Sequence, residues 1–262
     1  MSRYSCALLV AVVLLGTAPP RADEANSPSV QSATPPERTR LNKFLNNLGG
    51  NFVALFSKQN INPLLIGGGA TGSIALLDDE IRSAWRSQGG SSTIGKIGAE
   101  IAAPYVVAPT LAGLLVAGHY SKNDRFRSST YALAQTCLLN EALVQSLKRM
   151  VGRTRPNGSN NLSFPSGHTA DSFAIATVVH QYYGNTAGMI GYAAASFVAL
   201  SRTREDRHWA SDLAAGATIG YIVGRTVSHR TGISLRSRTV TFSPVVDPFR
   251  RRFGLQISID DR

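Results

Sequence analysis

Residues 162–183 read LSFPSGHTADSFAIATVVHQYY. Proline, serine, glycine and histidine stand in a row, and an apolar stretch with helical spacing follows. Ser166 is a helix-capping residue type, and Gly167 lets another group approach the backbone closely. The reading is a turn that opens a helix over 168–183, whose first free N–H groups suit an anion. Helical segments flank it on both sides. Residues 128–151 carry Leu133, Thr136, Cys137, Asn140, Val144 and Leu147 on one recurring face, and residues 186–203 and 209–228 are two further helices rich in small residues. No strand-type alternation stands before residue 235. The fold class predicted is all-α, a bundle of about six helices. After it, Val240 and Phe242, then Leu255, Ile257 and Ile259, alternate with polar residues, which predicts a short C-terminal β-hairpin.

The rest of the chain sorts around this core. Residues 1–22 have a basic start at Arg3, an apolar run from Cys6 to Leu15, then small residues and prolines. That is secretory signal-peptide grammar, so export to the periplasm or cell envelope is expected. Residues 23–40 are polar and proline-rich and read as a disordered linker. Residues 41–59 hold an amphipathic helix, with Leu41, Phe44, Leu45 and Leu48 on one face. Its apolar side docks on the core or lies on a membrane surface. The glycines of residues 62–80 fit a helix with close packing, since no Gly-Lys-Ser/Thr follows to make a phosphate loop. Residues 97–118 are the most apolar segment beyond the leader, broken by Glu100, Pro104 and Pro109, and read as a kinked buried helix, with a membrane span as the alternative. The catalytic core is set at 60–230, and a basic tail at 231–262 contains Arg250, Arg251 and Arg252.

The formal net charge is +11, which points to anionic partners. Only Cys6 and Cys137 are present, and Cys6 lies in the expected leader. An intramolecular disulfide and a cysteine-based zinc site are thereby excluded from the mature chain, and Cys137 reads as a buried structural thiol. An exported chain rarely meets nucleic acid, so none is expected as a partner. Nothing in the sequence sets the oligomeric state.

Three clusters carry the chemistry. In KRMVGRTRP, Lys148 stands near a helix end, and Arg155 follows in a loop because Gly152 and Pro156 stop the helix. Alone, this reads better as a basic helix terminus complementing the dipole. The second cluster is the opening motif with Ser166, Gly167 and His168. Asp171 and His180, further along, show no evident chemistry. In SRTREDRHWASD, Arg202 ends one helix, and His208 and Asp212, four apart, share one face of the next. A carboxylate there is placed to accept from one imidazole nitrogen and leave the other free. Together the clusters bring three cations, two histidines and one carboxylate. That inventory suits phosphoryl transfer without a metal, where positioning and charge stabilisation dominate. One histidine serves as nucleophile and the other as general acid.

The order and spacing Lys148-x6-Arg155-Pro156, Pro165-Ser166-Gly167-His168, Ser201-Arg202-x5-His208-x3-Asp212 resemble the three-part signature of the type 2 phosphatidic acid phosphatase superfamily. Bacterial acid phosphatases, lipid phosphate phosphatases and vanadium haloperoxidases share it. The resemblance spans about residues 148–212 and implies an all-α catalytic bundle. It implies His208 as the nucleophile that becomes a phosphohistidine, Asp212 as its orienting carboxylate, and His168 as the group that protonates the leaving alkoxide and then activates water. It implies Lys148, Arg155 and Arg202 as phosphate ligands, with Ser166 and the Gly167 amide completing the cradle. No metal and no cofactor are implied. The substrate expected is a phosphate monoester, lipid or small and soluble, with peripheral membrane association favoured by the charge and the amphipathic helix. A vanadate-dependent haloperoxidase and an envelope-binding protein using the basic tail are the alternatives.

Overall fold

The structure is a computed structural model and describes residues 37–87, 96–98, 100, 102–231, 238–247 and 252–261. The expected leader, most of the linker, and Arg250 and Arg251 lie outside the described residues. The described helices are α1 (Glu37–Ala54), α2 (Ile61–Ala75), α3 (Asp78–Ser87), α4 (Pro104–Tyr120), α5 (Asp124–Val151), α6 (Gly167–Arg204) and α7 (Ala210–Thr231). Strands β1 (Arg238–Asp247) and β2 (Arg252–Asp261) pair antiparallel, with Val240 opposite Ile259 and Phe242 opposite Ile257. The helical part of the expected architecture is borne out.

The core lies where α5, α6 and α7 meet. Leu133 from α5, Val178 from α6, and Val223 and Val227 from α7 are buried there. The periodicity of 128–151 gives the right face, since Leu133, Thr136, Asn140 and Val144 are buried. The helix starts four residues earlier than that pattern, because Asn123 accepts the Phe126 N–H as an N-cap. It ends where Gly152 adopts a left-handed conformation and returns its N–H to the Lys148 carbonyl.

Helix α6 is two helices in one. Gly184 has φ 84°, and the chain folds back on itself there. Thr177 and Tyr192 meet through their hydroxyls at 3.0 Å, and a Cβ on Gly191 would sit 3.3 Å from Ala176. The hairpin brings Arg202, at the end of α6, back to the level of His168 at its start. Small residues then bind α6 to α7. A Cβ on Gly216, Gly220 or Gly224 would fall 2.6, 2.2 and 2.7 Å from the carbonyls of Ser166, Ala170 and Ala174. Recurring every four residues, these glycines form one face against which the α6 backbone lies directly.

Helix α1 docks on the core, the first of the two outcomes expected for it. Asn51 donates to Gln135 of α5 at 2.6 Å and accepts from Arg230 of α7 at 3.0 Å. Phe44 packs near Tyr131 with ring centroids 6.3 Å apart. One expectation is corrected. The 97–118 segment contains α4, with Pro109 inside it, and α4 is an outer helix that exposes Val116 and packs one side on α5. Its uniform apolarity removes the polar face that distinguishes an outer helix from a buried one. Among the described residues, no helix is long and apolar enough to cross a membrane.

Candidate active site

The three clusters converge at one end of the bundle. The α5 terminus supplies Lys148, the 152–166 loop supplies Arg155, α6 supplies His168 and Arg202, and α7 with the loop before it supplies Asp212 and His208. Lys148 Nζ donates to the carbonyls of Leu162 and Pro165 at 2.8 and 2.7 Å, pinning the PSGH turn onto the end of α5. The Ser166 N–H donates to the Asp212 carbonyl at 3.0 Å, which fastens the same turn to α7.

Ser166 occupies the N-cap position of α6, but its side chain makes no cap bond. Its hydroxyl accepts from Thr169 at 3.0 Å instead. The cradle thus keeps the first N–H groups of the helix uncapped by the side chain that sequence reasoning assigned to them. Gly167 sits over Val144 and Lys148, close enough that a Cβ would lie 3.5 Å from Val144.

His208 is buried, and its Nδ1 lies 2.7 Å from the Ser163 carbonyl. A carbonyl only accepts, so Nδ1 carries the proton and Nε2 keeps its lone pair. Asp212 Oδ2 lies 3.7 Å from Nδ1, an ion-pair distance rather than a hydrogen bond. This corrects the expected geometry. The tautomer is set by a backbone carbonyl, and Asp212 acts on the ring through its charge. Asp212 is engaged elsewhere: Ser163 Oγ and the Trp209 N–H donate to Oδ2 at 2.5 and 2.9 Å, and Arg153 donates to Oδ1 at 2.8 Å. Burial alone pushes this carboxyl up, but those donors and His208 outweigh it and hold it below the usual range.

Arg155 and Arg202 each bury a guanidinium Nε that has no partner among the described residues. Buried donors of this kind are rare unless an acceptor belongs there. Arg202 also reaches Glu205 at 2.9 Å. Crowding among the cations shows in the ionisation of the histidines. Burial, then Arg202, His208, Lys148 and Arg155, push His168 down to about 3. Burial also pushes His208 down to about 4, against the opposing pull of Asp212. Both rings are neutral at neutral pH. Burial and then Arg155 bring Lys148 down to about 8.

That last shift gives a pH dependence. Lys148 loses its charge as pH rises past about 8, so kcat/KM for a phosphate ester is expected to fall about tenfold per pH unit above it. Lys148→Arg, which keeps its charge, is expected to move this alkaline limb upward. A pH profile of kcat/KM for both proteins checks it; a limb in the same place for both rules Lys148 out.

Several residues at the site escaped sequence reasoning. Ser163 holds His208 with its carbonyl and Asp212 with its hydroxyl. Arg207 makes no side-chain hydrogen bond or ion pair among the described residues, and its charge is the largest electrostatic influence on Arg155 after burial. Arg153 and Asp78 form an ion pair at 2.8 Å behind Asp212. Asp171 pairs with Asn140 at 2.6 Å, away from the cluster, and burial pushes it up to about 6. His180 bonds the Asn185 side chain at 3.1 Å and takes no part. Burial pushes the Cys137 thiol well above its usual range, so it is no nucleophile.

The family model described as the PAP2 superfamily matches residues 129–233, which contain every one of the signature positions. Residues 129–233 are thus similar to the PAP2 superfamily. A curated relative, lipid A 1-phosphatase of Porphyromonas gingivalis, is 46% identical over 85 residues. That match covers 31% of this chain and spans 19% of the relative. Two solved structures are also similar. The LpxE of Aquifex aeolicus is 23% identical with a TM-score of 0.43, over 60% of this chain and 93% of that one. The transmembrane PAP2-type phosphatidylglycerolphosphate phosphatase of Bacillus subtilis is 16% identical with a TM-score of 0.40, over 72% and 94%.

Proposed function

We propose that the chain is an exported phosphatase that hydrolyses lipid phosphate monoesters through a phosphohistidine at His208. The observation that carries this is the His208 ring. Its Nδ1–H is held by the Ser163 carbonyl, so Nε2 is the nucleophilic atom at the cationic end of the bundle. Nε2 attacks phosphorus as the ester P–O bond breaks, and His168 gives a proton to the leaving alkoxide. Water then attacks the phosphohistidine, His168 takes the proton, and the P–N electrons return to Nε2. Lys148, Arg155 and Arg202 take the charge on the phosphoryl oxygens throughout, with Ser166 and the Gly167 N–H completing the cradle. Positive charge from the chain itself fills the place that a metal fills in other phosphatases.

A lipid substrate is supported by the outer faces of the helices. Residues 61–75 carry no charged side chain, and α2 exposes Leu64, Leu65 and Ile66, the last two at 68% and 74%. The second half of α6 exposes Met189, Ile190, Phe197 and Leu200. With a net charge of +11, such faces suit peripheral docking on an anionic bilayer. The likeness to a lipid A phosphatase adds lipid phosphates with sugar head groups to the candidate substrates. Residues 1–22 serve as the leader and 23–40 as a linker in this reading. The basic tail at 231–262 serves to hold the enzyme at the envelope.

A panel of substrates with chelator present tests the reading. Phosphatidic acid and phosphorylated lipid A in vesicles are expected to exceed nucleotide and sugar monophosphates in kcat/KM by about tenfold or more, the extra binding coming from the apolar part. Equal rates across the panel would make it a general acid phosphatase. Turnover that needs peroxide, halide and vanadate instead would make it a haloperoxidase.

A further inference from the structure

Behind the nucleophile lies an ion-pair relay, with both its carboxylates buried, that joins α3 to α7. Asp78 is the first residue of α3 and is 4% exposed. Its Oδ1 accepts the Ser211 N–H at 3.0 Å, and its Oδ2 accepts the Ser211 hydroxyl at 2.5 Å. The same Oδ2 accepts from Arg153 Nη2 at 2.8 Å. The other arm of Arg153, Nη1, donates to Ser211 Oγ at 2.7 Å and to Asp212 Oδ1 at 2.8 Å. Trp209 covers the guanidinium from 5.3 Å. The order of charges is therefore Asp78, Arg153, Asp212, His208, each in contact with the next.

We propose that Arg153 and Asp78 are positioning residues that fix the Asp212 carboxylate and limit how much of its charge reaches His208. The proposal rests on the phosphohistidine reading for its kinetic part. The geometry supplies the reason. With Oδ1 held by Arg153 and Oδ2 held by Ser163 and Trp209, Asp212 stays 3.7 Å from Nδ1, and the imidazole keeps its bond to the Ser163 carbonyl. Remove Arg153, and Oδ1 loses its cation while Ser163 and Trp209 still hold Oδ2, so more of the carboxylate charge reaches Nδ1. That stabilises the imidazolium, so the ring carries a proton at higher pH and attacks less often. Asp78 does the same job one step back, because Arg153 without it is held by one carboxylate and one hydroxyl alone.

The other charged and titratable groups around His208 oppose that change only in part. Lys148 of α5 and Arg155 of the loop face it from the cationic side, with His168 of α6, on which Arg202 acts in turn. Asp206 and Arg82 line the same small hollow as His208 on the α3 side and are paired with each other at 3.1 Å. Arg153 is the cation that bonds Asp212 directly.

Arg153→Gln, Arg153→Lys and Asp78→Asn in the full chain test this. Kinetics on 4-nitrophenyl phosphate across pH and 15N NMR titration of the His208 ring are the two readouts. Arg153→Gln is expected to lower kcat by about 10- to 100-fold, the range for partners that orient a reacting ligand, with KM little changed. The His208 titration and the acidic limb of kcat/KM are expected to rise together by about one pH unit. Arg153→Lys is expected to restore most of kcat and the original limb, and Asp78→Asn to show the Gln effect in smaller size. If Arg153→Gln does not fold, the other two decide. A lowered Tm with kcat and the acidic limb unchanged would make the relay a structural bolt and overturn the proposal. If the unaltered enzyme shows no phosphatase turnover, the phosphatase reading fails instead. The His208 titration then still judges the relay, and a midpoint that Arg153→Gln leaves in place overturns it.

Discussion

Alanine at position 208 is expected to lower turnover of any phosphate ester by more than about 10⁴-fold and to abolish a phosphoenzyme that is labile to acid and stable to base. The size follows from the ring's place in the reaction. In the proposed mechanism Nε2 is the atom that bonds phosphorus, and among the described residues His168 is the other imidazole at the site. His168 sits on the leaving-group side in the reading, so it does not substitute. What would remain is the stabilisation by Lys148, Arg155 and Arg202, which orient a phosphoryl group without attacking it. Rapid-quench trapping with a 32P-labelled ester reads the intermediate directly, and circular dichroism checks that the variant folds. Full turnover by the alanine variant would end the phosphohistidine mechanism.

Alanine at position 168 is expected to split by leaving group. An alkyl phosphate needs its alkoxide protonated, so the loss there should be about 10²- to 10⁴-fold. A nitrophenyl ester leaves without help, so its first step should change little. Water attack on the phosphohistidine still lacks its base, so the phosphoenzyme should accumulate and a burst of nitrophenol should appear. The ionisation of His168 makes this role workable only with substrate present. Its value of about 3 comes from burial and from the charges of Arg202, His208, Lys148 and Arg155. A phosphate dianion among those cations cancels the charge effect, and the ring takes up a proton as the ester binds. Equal losses for both esters, with no burst, would give the acid–base role to another group.

The sequence was informative where chemistry and helix punctuation coincide. Gly152 and Pro156 marked the end of α5, the PSGH turn marked the start of α6, and His208 and Asp212 stood one turn apart. These are local signals, and the signature positions they mark do converge. The residues that escaped notice have no local signal. Ser163 acts partly through its backbone carbonyl, which every residue has. Asp78 reaches the site across 133 positions of sequence to bond Ser211. Arg153 looked like one more charge in a basic loop, and only the two carboxylates around it give it meaning. Composition misled in one place: 97–118 is apolar on all sides, and that alone does not separate a buried helix from α4, which faces outward.

The break at Gly184 lies at the far end of the bundle from the site, and it falls between two complementary sets of functional groups. The chain up to Gly184 holds Lys148, Arg155 and His168. The chain after it holds Arg202, His208 and Asp212. In the proposed mechanism neither piece owns both the nucleophile and the proton donor. The site is in effect a contract between two polypeptide halves, sealed by the glycine face of α7 lying flush on the α6 backbone. A chain cut at that hairpin would leave uncut every hydrogen bond and ion pair made at the site, and the two pieces would still meet along the glycine face.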